Sequence, residues 1–404
     1  MNCRCCNSSD LELVLDLGDQ PWGNNFIPIE SNEIAKNYPL KVYFCMNCKM
    51  VQLDYAIPKE EMFVNHTYLS GTTSSLRKHF LDVTKYALSK TTLEDKNYVL
   101  DIGGNDGTFL EHFKNLGHKV LNVDSGLLQS KKCLEKGIPC LNNFFNENLA
   151  NEILSDYGYA SIIHGSGIFF HLEELHSVFS GIKKLLDPKN GLLIAEFIYL
   201  PDMIENVAYD QIYHEHLLYY SLSSFQRLLD IYDLEIVDAI RKPIHGGSCV
   251  ALIRHKGNIK KSKELQELLN YENINGFNSI EIYLEFAEKV KVNKELLRGI
   301  LIDLKKKGKS IVALGAPVKG STLINYCNLT NKEIDYGVEI NPHKCGTFYP
   351  GTSIPVFHQD SKSPPDYFLL LSWNFKDEIL AKIKPILEKG TKIIIPIPTP
   401  RIIN

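Results

Sequence analysis

The chain of 404 residues has no uninterrupted apolar run near the roughly 18 residues that a membrane-spanning helix needs. Its longest candidate, Leu192–Leu200, is short and is broken by Glu196. A basic excess is also missing: 44 Lys and Arg stand against 48 Asp and Glu. That balance argues against a nucleic-acid or membrane-surface binder, so neither partner is expected. The opening residues, Met1 to Cys6, hold no apolar signal-peptide core, and a cytoplasmic location with reduced thiols is expected. No internal repeat or low-complexity tract is found. What remains is an ordinary globular composition, long enough for two or three domains.

Reduced cysteines call for another use. Cys3 and Cys6 form one C-x-x-C pair, and Cys45 and Cys48 a second. Each pair turns two thiolates toward one ion, and four sulfurs complete a tetrahedral structural zinc site. The long gap between the pairs predicts a small β-rich insert. Cys5 is a spare that could replace Cys3 or Cys6.

From about Tyr98 to Arg254, short apolar runs alternate with helical stretches, which predicts a parallel sheet with helices on both faces. The expected strands are Tyr98–Ile102, Lys119–Val123, Ala160–His164 and Leu192–Phe197, then the pair Glu235–Ala239 and Ser248–Arg254. Residues Asn278 to Lys307 read as one long helix with Asn278 and Glu281 as a capping box and Gly308 as its stop. A second α/β block follows, with strands at Ser310–Leu314, Ile334–Val338, Tyr367–Leu371 and Lys392–Ile395. It looks too small for a full dinucleotide domain, although the two blocks could share a fold.

Two stretches carry the chemistry. Asp101-Ile102-Gly103-Gly104-Asn105-Asp106-Gly107 follows a strand and precedes a helix start. Glycines permit positive φ and close approach of a ligand, and Asn105 tolerates the same geometry. Asp124, at the end of the next strand, is placed to grip ribose hydroxyls. A pyrophosphate would be repelled by Asp101 and Asp106, whereas the cationic S-adenosylmethionine suits an acidic loop. The charge therefore selects S-adenosylmethionine over NAD, held by Asp101, Gly103, Asn105, Gly107 and Asp124. The second stretch, Asp210 to Tyr220, packs His214, Glu215, His216 and three tyrosines into eleven residues. It is too polar for simple core and holds every side-chain type needed for proton transfer near neutral pH. A cofactor loop with such a cluster reads as an enzyme.

Taken together, these residues resemble the sugar C-methyltransferases that methylate C3 of a nucleotide-linked 4-keto deoxysugar. The likeness covers nearly the whole chain. It includes both C-x-x-C pairs, Leu17-Gly18-Asp19-Gln20-Pro21, Gly103 to Gly107, and Ile212 to His216. It continues through His245-Gly246-Gly247-Ser248, Gly315-Ala316-Pro317-Val318-Lys319-Gly320 and Ser372-Trp373-Asn374. The chain departs from the family pattern at Glu339-Ile340, Cys345 and Cys249. The resemblance implies an α/β protein in three parts: a zinc-binding module over 1–65, a class I methyltransferase Rossmann-like domain over 66–255, and a C-terminal Rossmann-like substrate lobe over 256–404. A nucleotide-linked keto sugar is the implied substrate, and a monomer is expected. By position, Tyr68, His171, Tyr213, Glu215 and His216 would line the active site, and His245, Gly246 and Lys319 would meet the substrate.

Carbon methylation needs an enolate, hence a base, an oxyanion partner and an aligned methyl donor. Histidine is the natural base near pH 7. His216 is the first candidate, with Glu215 orienting or charging the cluster. Tyr213 is the alternative base, provided a cationic neighbour lowers its pKa. His171, Tyr68 and His245 are candidates to hydrogen-bond the keto oxygen or sugar hydroxyls. His214, two residues from His216, would face away if the segment were helical. The competing activity is O- or N-methylation of a sugar nucleotide or small metabolite; an RNA-gripping module is disfavoured by the acidity.

Overall fold

The computed structural model describes residues 1–93, 97–257 and 259–403. The N-terminal strands are β1 (Leu11–Pro21), β2 (Ile27–Pro28), β3 (Asn37–Cys45) and β4 (Val51–Leu53). β1 and β3 pair antiparallel, with Leu15 opposite Val42, and β4 adds beyond β3. Leu40, Val42 and Phe44 alternate inward along β3, so one sheet face is apolar and buried. The insert between the cysteine pairs is thus a β meander, as its length predicts.

The central sheet uses β5 (Tyr98–Ile102), β6 (Val120–Val123), β7 (Cys140–Leu141), β8 (Ala160–Ser166) and β9 (Leu192–Ile198). After the two-residue β10 (Leu218–Tyr219) come β11 (Leu234–Lys242) and β12 (Ser248–His255). The spatial order is β7-β6-β5-β8-β9-β12-β11, with β12 antiparallel to both its neighbours. Every residue of β5 is buried, as expected for a parallel strand covered on both faces. The chain direction of winding reverses between β5 and β8, which opens a crevice at their carboxyl ends.

The C-terminal sheet contains β13 (Ile311–Leu314), β14 (Tyr336–Glu339), β15 (Thr347–Phe348), β16 (Pro355–His358), β17 (Tyr367–Leu370), β18 (Lys392–Ile395) and β19 (Arg401–Ile403). Five of these run parallel in the order β16-β14-β13-β17-β18. The block that looked too small has a complete switch point of its own, between β13 and β17.

Edge strands lock the sheets together. β10, within the histidine-rich segment, pairs with β4, and β2 pairs with β15. The long helix spans Glu281–Lys306, and Gly308 stops it at φ +68°. Tyr283, Phe286, Val290, Leu297, Leu301 and Leu304 form its buried stripe, in one core cluster with Val14, Leu15 and Leu17 of β1. The expected capping box is absent. Ile280 is the N-cap without a side-chain bond, because Asn278 Nδ2 instead reaches Ser223 Oγ at 3.5 Å. No helix among the described residues is long and apolar enough to cross a membrane.

Candidate active site

The carboxyl end of β5 opens onto a cavity of about 600 Å³ shared by the central domain and the C-terminal lobe. Its floor is the glycine loop. Gly103, Asn105 and Gly107 all take positive φ, and there is no room for a side chain on Gly104: a Cβ would sit 2.2 Å from Asn122 Oδ1 and 2.5 Å from Asp101 Oδ2. Asp124, at the end of β6, accepts the Asn105 amide and the Gly126 amide, each at 2.8 Å. Burial pushes its carboxyl up to about 6. The preceding loop is latched on top: Ser70 N donates to Asn105 Oδ1 at 2.9 Å, and Gln129 Nε2 to the Tyr68 carbonyl at 2.8 Å.

Of the five residues expected to hold the cofactor, Gly103, Asn105 and Asp124 line this cavity. Asp101 turns beneath the loop to His164 Nδ1 at 2.7 Å, and Gly107 begins the helix Thr108–Asn115, its α-hydrogen side packed against Cys133 and Ile138. Asp106 accepts from Thr108 Oγ1 at 2.6 Å and lies 3.3 Å from Lys136. Of these three acids, Asp124 faces the cavity and the two loop acids do not.

The second wall is the segment after the short 3-10 turn Tyr209–Gln211. It is not helical; it runs through a turn into β10. His214 nonetheless leaves the cavity, its Nε2 lying 3.3 and 3.2 Å from the carbonyls of Tyr38 and Pro39. His216 is buried and places Nδ1 2.8 Å from the Gln211 carbonyl. A carbonyl only accepts, so Nδ1 carries the proton and Nε2 keeps its lone pair. His171 repeats the device on the Glu215 carbonyl. The two rings stand 5.1 Å apart, and Tyr213 lies 3.8 Å from His216. Burial lowers His171 to about 4 and takes His216 well below its ordinary range, so both are neutral at pH 7. Burial has the opposite effect on Tyr213, whose phenol is held well above 10 with Glu215 adding to the rise. Among the described residues no cation offsets this rise, so the tyrosine stays protonated. Tyr68 reaches the cavity while half-exposed.

The C-terminal lobe supplies the third wall, through Lys319, Lys344 and Asn374. Lys319 hydrogen-bonds Asn374, lies 4.2 Å over the Trp373 ring, and is lowered to about 8 by burial. His245 also lines the cavity; its carbonyl accepts Gln211 Nε2 at 2.6 Å. Gly246 does not line it. It packs against Trp373 and faces a separate cleft, because the ring stands between the two spaces.

Comparison with known proteins settles the family. The C-methyltransferase NovU of Streptomyces niveus is 31% identical over 410 residues, spanning 100% of this chain and 96% of its own. The chain belongs to the C-methyltransferase family. Three family models tile it: a zinc binding domain over 3–63, a methyltransferase domain over 74–239 and a C-methyltransferase C-terminal domain over 243–398. Solved structures similar to it include an Anabaena variabilis SAM-dependent methyltransferase (16% identical, TM-score 0.36), covering 47% of this chain and 88% of that one. Another is the Synechocystis magnesium protoporphyrin IX methyltransferase with bound SAM (12% identical, TM-score 0.33), covering 44% and 79%.

This C-methyltransferase depends on S-adenosylmethionine, and its side-chain-free glycine cradle beside Asp124 fits that cofactor. The zinc site fits as well. The Sγ atoms of Cys3, Cys6, Cys45 and Cys48 all lie within 4.8 Å of one another, with Cys3–Cys48 at 3.4 Å and Cys6–Cys45 at 3.6 Å. Zn–S bonds near 2.3 Å in a tetrahedron put sulfurs about 3.8 Å apart. Cys5 is not in the cluster; it is buried in the core shared with the central domain.

Several contacts at the site escaped sequence reading, Lys344 on the lobe wall among them. Trp22 donates its indole N–H to Glu215 Oε1 at 2.7 Å. Asp210, wholly buried, accepts the Trp373 indole at 2.6 Å. Glu196 lines the cavity, held by Ser166 Oγ at 2.7 Å and His79 Nε2 at 2.8 Å. A signal existed for the last: Glu196 is a lone carboxylate inside an otherwise apolar strand. Trp22 follows directly on Leu17–Pro21, but nothing in its neighbourhood points to residue 215.

Proposed function

We propose that this C-methyltransferase acts on a nucleotide-linked 4-keto sugar, removing a proton from the carbon beside the keto group and methylating that carbon. The observation that carries the reading is the presentation of His216: buried, neutral, with Nδ1–H fixed on a main-chain carbonyl and Nε2 free to accept a proton at the cavity wall. A positioned base of this kind contributes roughly 10²–10⁴-fold. Tyr213, kept as a phenol by burial, serves better as hydrogen-bond donor to the developing enolate oxygen than as base. His171, neutral with its own Nε2 free, suits acceptance of a sugar hydroxyl. Bound S-adenosylmethionine supplies an electrophilic methyl group. Gly103, Asn105 and Asp124 hold its end of the cavity and so align the reactants, largely a proximity effect. Lys319 and Lys344 place two cationic side chains on the lobe wall, where a diphosphate would lie. The role of Glu215 is to sit beside the base as a carboxylate that charges and orients the cluster.

The test is exchange. A panel of 4-keto sugar nucleotides carrying dTDP, GDP or CDP is incubated in D₂O with the enzyme, without methyl donor, and deuterium is sought at the adjacent carbon. One member should take up deuterium and then gain a methyl group when S-adenosylmethionine is added. His216→Asn should abolish both while cofactor affinity stays intact. Methyl transfer to an accepted substrate without exchange, or turnover by His216→Asn near the normal rate, would defeat the proposal.

A further inference from the structure

The zinc site lies outside the cavity lining, yet its module reaches the chemistry: Asn24 lines the cavity, and Trp22 hydrogen-bonds a residue that does. Trp22 sits on the turn just after β1, and that turn is pressed onto the C-terminal lobe. Ser321 Oγ donates to the Gly23 carbonyl at 2.8 Å, and a Cβ on Gly23 would meet Val318 at 3.1 Å. Held there, the indole crosses to the central domain and gives its N–H to Glu215 Oε1 at 2.7 Å. Among the described residues Glu215 Oε2 has no hydrogen-bond partner, and Glu215 lines the cavity. One oxygen is thus fixed and the other left for the reaction.

We infer that Trp22 is a positioning residue: it fixes the rotamer of Glu215 and steadies its carboxylate at the cavity wall near Tyr213, so that the N-terminal module completes the active site. The inference rests on the proposed role of Glu215. It gives the module a function besides its own folding. Burial raises the Glu215 carboxyl, and a buried acceptor beside Tyr213 is costly to leave unpaired; the indole N–H is the donor that meets it, and Lys344 adds a favourable charge. Trp373 makes the matching contact at the other end of the segment, on Asp210.

The chain has two tryptophans, so ¹⁵N-indole labelling yields two resonances, assigned with Trp22→Phe. The Trp22 resonance should move on Glu215→Gln and during a pH titration, with no substrate present. In turnover with S-adenosylmethionine and the keto sugar nucleotide that passes the exchange test, Trp22→Phe should lower kcat about tenfold with KM changed less than about twofold. The acid limb of its kcat profile should move to higher pH, since the lost donor favoured the ionised carboxylate. In a Glu215→Gln background the same change should cost almost nothing. If Phe disturbs folding, benzothienylalanine at position 22 keeps the bicycle and replaces N–H with sulfur. Full additivity with Glu215→Gln, a resonance blind to residue 215, or normal kcat for Trp22→Phe beside a slow Glu215→Gln overturns the inference alone. Normal turnover by Glu215→Gln removes the catalytic reading beneath it, while the resonance shift still reports the contact.

Discussion

Trp373 donates its indole N–H to Asp210 Oδ2 across 2.6 Å, tying the C-terminal lobe to the first residue of the histidine-rich segment. The carboxylate is fully buried, and its nearest cation, Lys319 Nζ, is 4.0 Å away. Its other oxygen has no partner. Lys319 and the indole therefore share the stabilisation of this carboxylate, the indole as its side-chain hydrogen-bond donor among the described residues. Trp373→Phe should destabilise the protein by about 2 kcal/mol, the cost of stripping a hydrogen bond from a buried charged group. Trp373→Phe with Asp210→Asn should lose less than the sum of the single changes. Thermal or denaturant unfolding of the four proteins checks this, and strict additivity would refute it.

The cofactor loop sets a second expectation. Gly104→Ala forces a methyl group into Asn122 and Asp101, both buried side chains with little room to yield. S-adenosylmethionine affinity should fall at least tenfold by calorimetry, with far-UV circular dichroism unchanged. Gly158→Ala is a useful control: its Cβ meets nothing within 4 Å, and only its positive φ strains a side chain. It should alter stability only and leave affinity alone.

Asp124, proposed to hold the cofactor, should make its affinity depend on pH. Its carboxyl is raised by burial to about 6, above the unfolded value near 3.9. Protonation on acidification removes an acceptor for ribose hydroxyls, so cofactor binding should weaken as pH falls through about 6. The sign for folding is opposite. A raised folded-state pKa means the native protein binds this proton more tightly than the unfolded chain, so through this group acidification from 6 toward 4 favours the cofactor-free fold. Asp124→Asn should flatten the binding profile. A profile unchanged by that substitution would exclude Asp124 as its source.

Removing zinc should act on stability and catalysis together. A structural zinc contributes on the order of 10–16 kcal/mol of apparent folding free energy, and the metal-binding cysteines share a core cluster with the central domain. Cys45→Ser or a strong chelator should release the β1–β3 module and with it Trp22. Loss of kcat, a lowered melting temperature and a changed tryptophan emission should appear together and reverse on adding zinc. Full activity in the stripped protein would show that the module is dispensable.

Much of the architecture was readable from periodicity. Strands such as Tyr98–Ile102 and Lys392–Ile395 are short apolar runs between turn residues, and their ends were placed within about two residues. The cysteine pairs announced a metal site because thiolate spacing is a local property. The long helix was visible in its stripe, but its start was misread, since Asn278 is captured by Ser223, a residue far away in sequence. The loop acids were misread for a related reason. Asp101 and Asp106 look alike beside the glycines, yet His164 and Lys136 take them up from other elements.

The chain's order of residues, by itself, determined which elements form, where glycine lets a ligand approach the backbone, and that each cysteine pair can turn two sulfurs toward an ion. These follow from neighbours a few positions apart. Only the tertiary structure decided that Asp124 faces the cavity, that His216 is neutral with its tautomer fixed, and that Trp22 meets Glu215. Protonation state and side-chain orientation depend on desolvation and on partners as many as 193 positions away. Those partners exist only once three sheets have closed around one cleft.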